Sequence, residues 1–274
     1  MTSIQPFLPM LVLLLGIGAF AGIIAGLLGV GGGLILVPAF YFAFSNLGYD
    51  SPELMQICLA TSLATIVFTS VRSMLSHHRK GAVDWDILKA WAPGIMVGAV
   101  LGMLATTGLR SAFLMQLFGI LGLIVALYLI FSRDSWRLGS AMPKGIGRVF
   151  SAPILGFLSV LMGIGGGSFG VPLMSLFSVP IHRAIATASG FGLAIAVPAV
   201  IGFLLTDTST QGRPPFMLGQ VNLVAFALII AMTMLTAPLG VRLAHAMDPK
   251  PLKRVFAGFI LLMALNMLRK GFVG

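Results

Sequence analysis

Gly29-Val30-Gly31-Gly32-Gly33 and Gly163-Ile164-Gly165-Gly166-Gly167 are two copies of one glycine-rich stretch at an offset of 134, and five residues after its last glycine each reaches a proline, Pro38 or Pro172. Both lie deep in apolar sequence, behind Gly26-Leu27-Leu28 in the first copy and Leu161-Met162 in the second. A glycine costs a helix about 1 kcal/mol relative to alanine, so a run of them breaks a helix at both places. Packing motifs of membrane helices space their small residues four apart, whereas these glycines are consecutive and recur in register. Broken backbone inside a membrane is tolerated where it lines a cavity or is buried in protein. Each break is therefore expected to present main chain to a ligand.

The surrounding composition fixes the class. With 58% hydrophobic residues, 9% charged residues and a mean hydropathy of +1.05 over 274 residues, the chain cannot be a soluble domain. Apolar windows of the roughly 20 residues a membrane helix needs fill nearly all of it. The formal net charge is +10, but Lys and Arg are confined to short connections between apolar runs, which makes them a topology signal and not a nucleic-acid surface. The single cysteine, Cys58, excludes an internal disulfide and a cysteine metal cluster. The first ten residues hold no Lys or Arg, so the first apolar stretch lacks the basic flank of a cleaved signal peptide and is expected to belong to the mature protein.

Taken in order, residues 1–132 form a first repeat, with a Gly-broken hairpin over 9–45 and helices over about 54–75, 85–106 and 111–131. A hydrophilic link, 133–148, follows. Residues 149–274 form a second repeat, with a hairpin over 149–178 and helices over about 183–205, 217–243 and 251–270. Ala60-Thr61 matches Ala186-Thr187, and Gly81-Ala82-Val83-Asp84 matches Gly219-Gln220-Val221-Asn222 at an offset of 138, as internal duplication would give. If each broken segment crosses once, the halves are parallel and the basic residues divide 11 against 6. If each goes in and returns, the halves are inverted and the division is 13 against 4. The positive-inside rule favours the second arrangement, with the link in the cytoplasm and both termini outside. The fold expected is an all-α polytopic membrane protein of two inverted repeats, a general plan of secondary transporters.

A glycine-rich tip that opens a helix offers unpaired N–H groups and the positive end of the helix dipole, which suit a small anion. The expected binding residues are Gly31, Gly32, Gly33 and Leu34 in the first copy, and Gly165, Gly166, Gly167 and Ser168 in the second. Hydroxyl residues on the next helix of each half, Thr61, Ser62 and Thr65 with Thr187 and Ser189, either contact that substrate or bond back to their own helix. None of the seven acidic residues falls well inside an expected helix core, so a carboxylate cation site, a resident metal and a cofactor are not expected. His78 and Asp84 sit at an expected cytoplasmic turn, as solvated charge or as a gate, and Arg183 near the same side could steer anions. Asp84 and Asn222, at matching positions, suit helix capping. A dinucleotide fingerprint at Gly29 lacks the strand, crossover helix and acidic partner it requires.

The paired GxGGG-x3-VP elements, Ala60-Thr61-Ser62, Ala186-Thr187-Ala188-Ser189 and His78-Arg79-Lys80-Gly81-Ala82-Val83-Asp84-Trp85 resemble the TauE/SafE family of membrane permeases over nearly the whole chain. The resemblance implies export of a small sulfur-containing oxyanion, sulfite or an organosulfonate such as sulfoacetate, across a bacterial inner membrane. Its alternatives are a passive anion channel or a permease for another small carboxylate or oxyanion. The partners implied are the substrate and the lipid bilayer, with a homo-oligomer left open. Ala188 departs from the first copy by separating Thr187 from Ser189.

Overall fold

The computed structural model describes residues 8–28, 33–132, 136–209, 211–246 and 249–273. These form ten helices: α1 Leu8–Leu28, α2 Gly33–Asn46, α3 Leu54–Arg79, α4 Trp85–Gly108, α5 Ser111–Phe131, α6 Ile146–Leu161, α7 Gly166–Leu176, α8 Ile181–Leu205, α9 Leu223–Ala246 and α10 Pro249–Val273. Five of the described helices are long and apolar enough to cross a membrane. The one departure from all-helical structure is a small antiparallel ribbon, β1 Met217–Leu218 with β2 Val221–Asn222. It displaces the expected start of a helix at 217, because Gly219 turns the chain at φ +53 and Asn222 delays the helix until its side chain can cap it.

The second break ends its helix for the reason its glycines suggest. Gly163 sits at φ +60, a conformation that side chains with a Cβ disfavour, and Gly165 precedes the first turn of α7 with extended backbone. At 11 residues α7 rises only about 16 Å, half the hydrocarbon core of about 30 Å. The tip of the first hairpin, Gly29 to Gly32, lies outside the described residues, and Gly33 opens α2.

Packing follows a pattern that survives exchange of the two halves. α1 lies along α9 and α6 lies along α4; α3 meets α8 and α5 meets α10; α2 packs on α3 and α7 on α8. Small residues set the closeness of the first two pairs. A Cβ at Gly22 would lie 2.8 Å from Thr233 Cα, and one at Gly102 would lie 2.9 Å from the Phe157 carbonyl, the close backbone approach that associates membrane helices.

Two contacts orient the central pair. Arg183 at the start of α8 reaches Asp84, just past the end of α3, while the Ser209 amide past the end of α8 donates to Glu53, just before α3. α3 and α8 therefore run in opposite directions. The loop at Asp50 shares the second end with Gly212. The segment carrying Leu138 and Gly139 bonds to Leu176 at the close of α7, which leads to Arg183 and so to the first end. α2 thus leads to one end of the molecule and α7 leads to the other. Arg79, Lys80 and Arg183 gather at the end of α3 and the start of α8, whereas Arg110 and Arg213 lie toward the opposite end.

Candidate functional site

The start of α2 meets the second glycine break inside the molecule. A Cβ placed on Gly33 would come within 2.9 Å of Ile164 Cα and 3.0 Å of the Gly163 carbonyl. Both rest against the middle turns of α3, where Ser62 donates to the Gly163 carbonyl at 2.7 Å and Ile66 packs on Gly33 and Gly165. From this junction a cavity of about 610 Å³ runs down the C-terminal half of α3 as far as His77 in its last turn. Its walls are α3 and α9, with Gly165, Gly166 and Gly167 at its inner end and Ser189 beside them.

The first turn of α7 has N–H groups with no acceptor inside the helix, and Gly166 and Gly167, which belong to that turn, line the cavity. Gly166 is also a packing residue. A Cβ there would stand 2.5 Å from Phe191 Cβ and 2.7 Å from the Gly192 amide, so the glycine lets α7 lie against α8 as well as exposing backbone.

Of the residues expected from sequence to bind, Gly165, Gly166, Gly167, Thr65 and Ser189 line this cavity. Gly33 lies at the tip contact, while Leu34 and Ser168 are buried in packing. Gly31 and Gly32 lie outside the described residues. Thr65 and Ser189 donate to carbonyls of their own helices, Ser62 at 2.7 Å and Ala186 at 2.6 Å, which is the back-bonding alternative; their hydroxyl oxygens remain acceptors.

Thr61 and Thr187 serve a different purpose. Each is fully buried and accepts a hydrogen bond from the other half: the Asp84 amide donates to Thr187 at 2.9 Å and the Asn222 amide donates to Thr61 at 3.0 Å. Asp84 and Asn222 then cap α4 and α9, accepting from the Ile87 amide at 3.1 Å and the Ala225 amide at 2.8 Å. The matching positions thus form two reciprocal caps.

The residues expected as gate or steering groups stand at one end, away from the cavity lining. Asp84 pairs with Arg183 at 3.2 Å, and His78 lies edge-on to Trp85 with ring centres 5.3 Å apart.

Sequence reasoning missed the polar wall itself. Thr69, Ser73 and Ser76 follow Thr65 at i+4, i+8 and i+11 on α3 and line the cavity, a spacing that places them along one stripe of the helix. Arg72, His77 and Arg242 join them. The stripe was the available signal; Arg72 groups by sequence with the basic connection that follows it, whereas it stands within α3, which continues to Arg79. Among the described residues no carboxylate lines the cavity and no cluster of metal-binding side chains occurs.

Comparison with known proteins agrees with a transport site. A probable membrane transporter protein of Haemophilus influenzae is 29% identical over 260 residues, 95% of this chain and 98% of that protein. One from Methanocaldococcus jannaschii is 28% identical, covering 96% of this chain and 97% of its own length. The probable membrane transporter protein YunE of Bacillus subtilis is 26% identical over 95% of this chain and 98% of its own. These relatives are described as transporters, not enzymes. No solved structure matches. The family model described as sulfite exporter TauE/SafE matches residues 14–267, and this multi-pass membrane protein belongs to that family.

Proposed function

We propose that the chain is a secondary transporter that moves a small sulfur-containing oxyanion, sulfite or an organosulfonate such as sulfoacetate, out of a bacterial cell by alternating access. The observation that carries this is the cavity itself. Backbone N–H groups at its inner end and the guanidinium groups of Arg72 and Arg242 on its walls supply donors, with no carboxylate among its described lining residues to repel an anion. Oxyanions accept paired hydrogen bonds from guanidinium groups and single ones from main-chain amides.

The two halves act as inverted repeats. The opposite run of α3 and α8, with α2 and α7 leading to opposite ends, supports that relation. With the basic end in the cytoplasm, the cavity faces inward and both termini lie outside. The substrate enters past His77 and Arg242 and rests against Gly166. Transport then needs the cavity to close on that side and open on the other, as in other inverted-repeat carriers.

Flux in proteoliposomes tests the proposal. Purified protein should move sulfite or sulfoacetate faster than empty liposomes do, with saturation and with acceleration by the same anion on the far side. Flux of both anions equal to that of empty liposomes would overturn the substrate assignment; flux without trans-acceleration would identify a passive channel.

A further inference from the structure

Among the described residues the two arginines of the cavity have no carboxylate partner: the ion pair formed there is Arg183 with Asp84. Arg72 lies about two turns before the end of α3 and Arg242 stands on the facing wall, α9; both are exposed at the open part of the cavity. Cationic side chains on the wall of an intramembrane cavity mark a substrate path.

The second half supplies a natural control. The offset of 126 that aligns Ala60 with Ala186 carries Arg72 to Pro198, and the offset of 138 that aligns Gly81 with Gly219 carries Arg242 to Leu104. Neither equivalent is charged. Leu104 is itself exposed, but the seam between their helices, α4 and α8, is packed shut, with Trp91 and Phe191 stacked at 6.4 Å between ring centres and Ile95, Ala99, Ile195 and Ala199 fully buried. The same architecture is closed where the charges are missing and open where they are present.

We infer that Arg72 and Arg242 form a two-cation gate, in which the bound oxyanion is the counter-charge that allows α3 and α9 to come together. Two guanidinium groups brought together in a low-dielectric gap repel each other. An anion with at least two free oxygens accepts from both forks at once and reverses the sign of that interaction. An empty carrier therefore stays inward-facing and a loaded one closes. This inference rests on the oxyanion reading for the identity of the substrate, but not for the effect of the charges.

The test uses the full chain in nanodiscs, with Thr69→Cys on α3 and Met234→Cys on α9 carrying spin labels; both positions line the cavity, and the native Cys58 is buried out of a label's reach. In Tris chloride the parent should show one long distance, and sulfoacetate should add a shorter one. R72Q/R242Q, at two exposed positions, should show the shorter distance in chloride alone, with its population raised at least threefold over the parent. R72K/R242K, which keeps both charges, should stay open like the parent. Coincident distances for parent and R72Q/R242Q, or closure of the lysine variant, would overturn the gate. Flux is read separately: if the charge-free variant closes while the parent moves neither sulfite nor sulfoacetate, the gate stands and the substrate assignment falls.

Discussion

The seam between α4 and α8 and the seam between α3 and α9 occupy corresponding places in the two halves, yet the first is sealed and the second stands apart around a cavity. Position by position, Thr65, Thr69, Ser73 and Ser76 on α3 correspond to Phe191, Ile195, Ala199 and Gly202 on α8. His77 corresponds to Phe203. On the facing helices, Trp91 and Ile95 of α4 correspond to Ile229 and Thr233 of α9. One backbone plan has been given opposite chemistry on its two sides. Opening the sealed seam would expose Trp91, Phe191 and Phe203, all nearly or fully buried, at about 1.5–3 kcal/mol for each large apolar side chain. Side chains, not backbone, decide which face of this molecule rests open.

The sharpest way to break that comparison is to place one charge in each seam. Ala99→Asp puts a carboxylate at a fully buried site where nothing pairs with it, and a loss of several kcal/mol is expected, read as failure to yield monodisperse protein by size exclusion. Ala237→Asp, its counterpart on the cavity wall, should fold normally and lower anion flux by introducing a like charge. Equal behaviour of the two would show that the seams do not differ in burial.

A second contrast lies at the glycine break. Gly166→Ala drives a methyl group to 2.5 Å from Phe191 Cβ, and overpacking of this kind costs about 1–3 kcal/mol. Gly165→Ala meets Ile66 Cγ2 at 3.2 Å and should cost less, because a side chain can give where backbone cannot. Thermal unfolding in detergent ranks them, with the Gly166 variant expected to melt lower.

The reciprocal caps sharpen the comparison from the opposite direction, since there the halves are alike. Thr61→Val leaves the buried Asn222 amide without its acceptor, at about 1–3 kcal/mol; Thr187→Val does the same to the half-buried Asp84 amide, so its melting shift should have the same sign and be no larger. The smallest effect is expected for Asp84→Asn, which turns the first cap into the second. It keeps the bond to the Ile87 amide and removes only the pairing with Arg183, whose side chain is 53% exposed; such a pair contributes about 0–1 kcal/mol. Asp84→Ala, which removes the cap as well, should cost about 1 kcal/mol more.

The class, the second break and the capping role of Asp84 and Asn222 were legible in the sequence, because each follows from local chemistry: hydropathy, glycine's cost in a helix, the capping habit of short polar side chains. The placement of Thr61 and Thr187 was not. A hydroxyl in an apolar helix has the same sequence signature whether it bonds its own backbone, a ligand or a distant amide, and only the chain's return from the other half selects among these. Arg72 was hidden for a related reason. Arginine beside His77-His78-Arg79-Lys80 reads as part of a basic loop, and only the continuation of α3 to Arg79 makes it a wall of the cavity. The ribbon at Met217–Asn222 was missed because its two-residue strands are too short to show an alternating pattern.

The reciprocal caps have a consequence for assembly. Neither half provides the hydroxyl its own fourth helix needs: Thr187 belongs to one half and holds the amide at Asp84, while Thr61 belongs to the other and holds the amide at Asn222. A chain cut between α5 and α6 should therefore give two fragments that are each incomplete alone and recover their native fold only when made together. A solitary half, lacking its mate, could satisfy the orphaned amide only by borrowing from a twin.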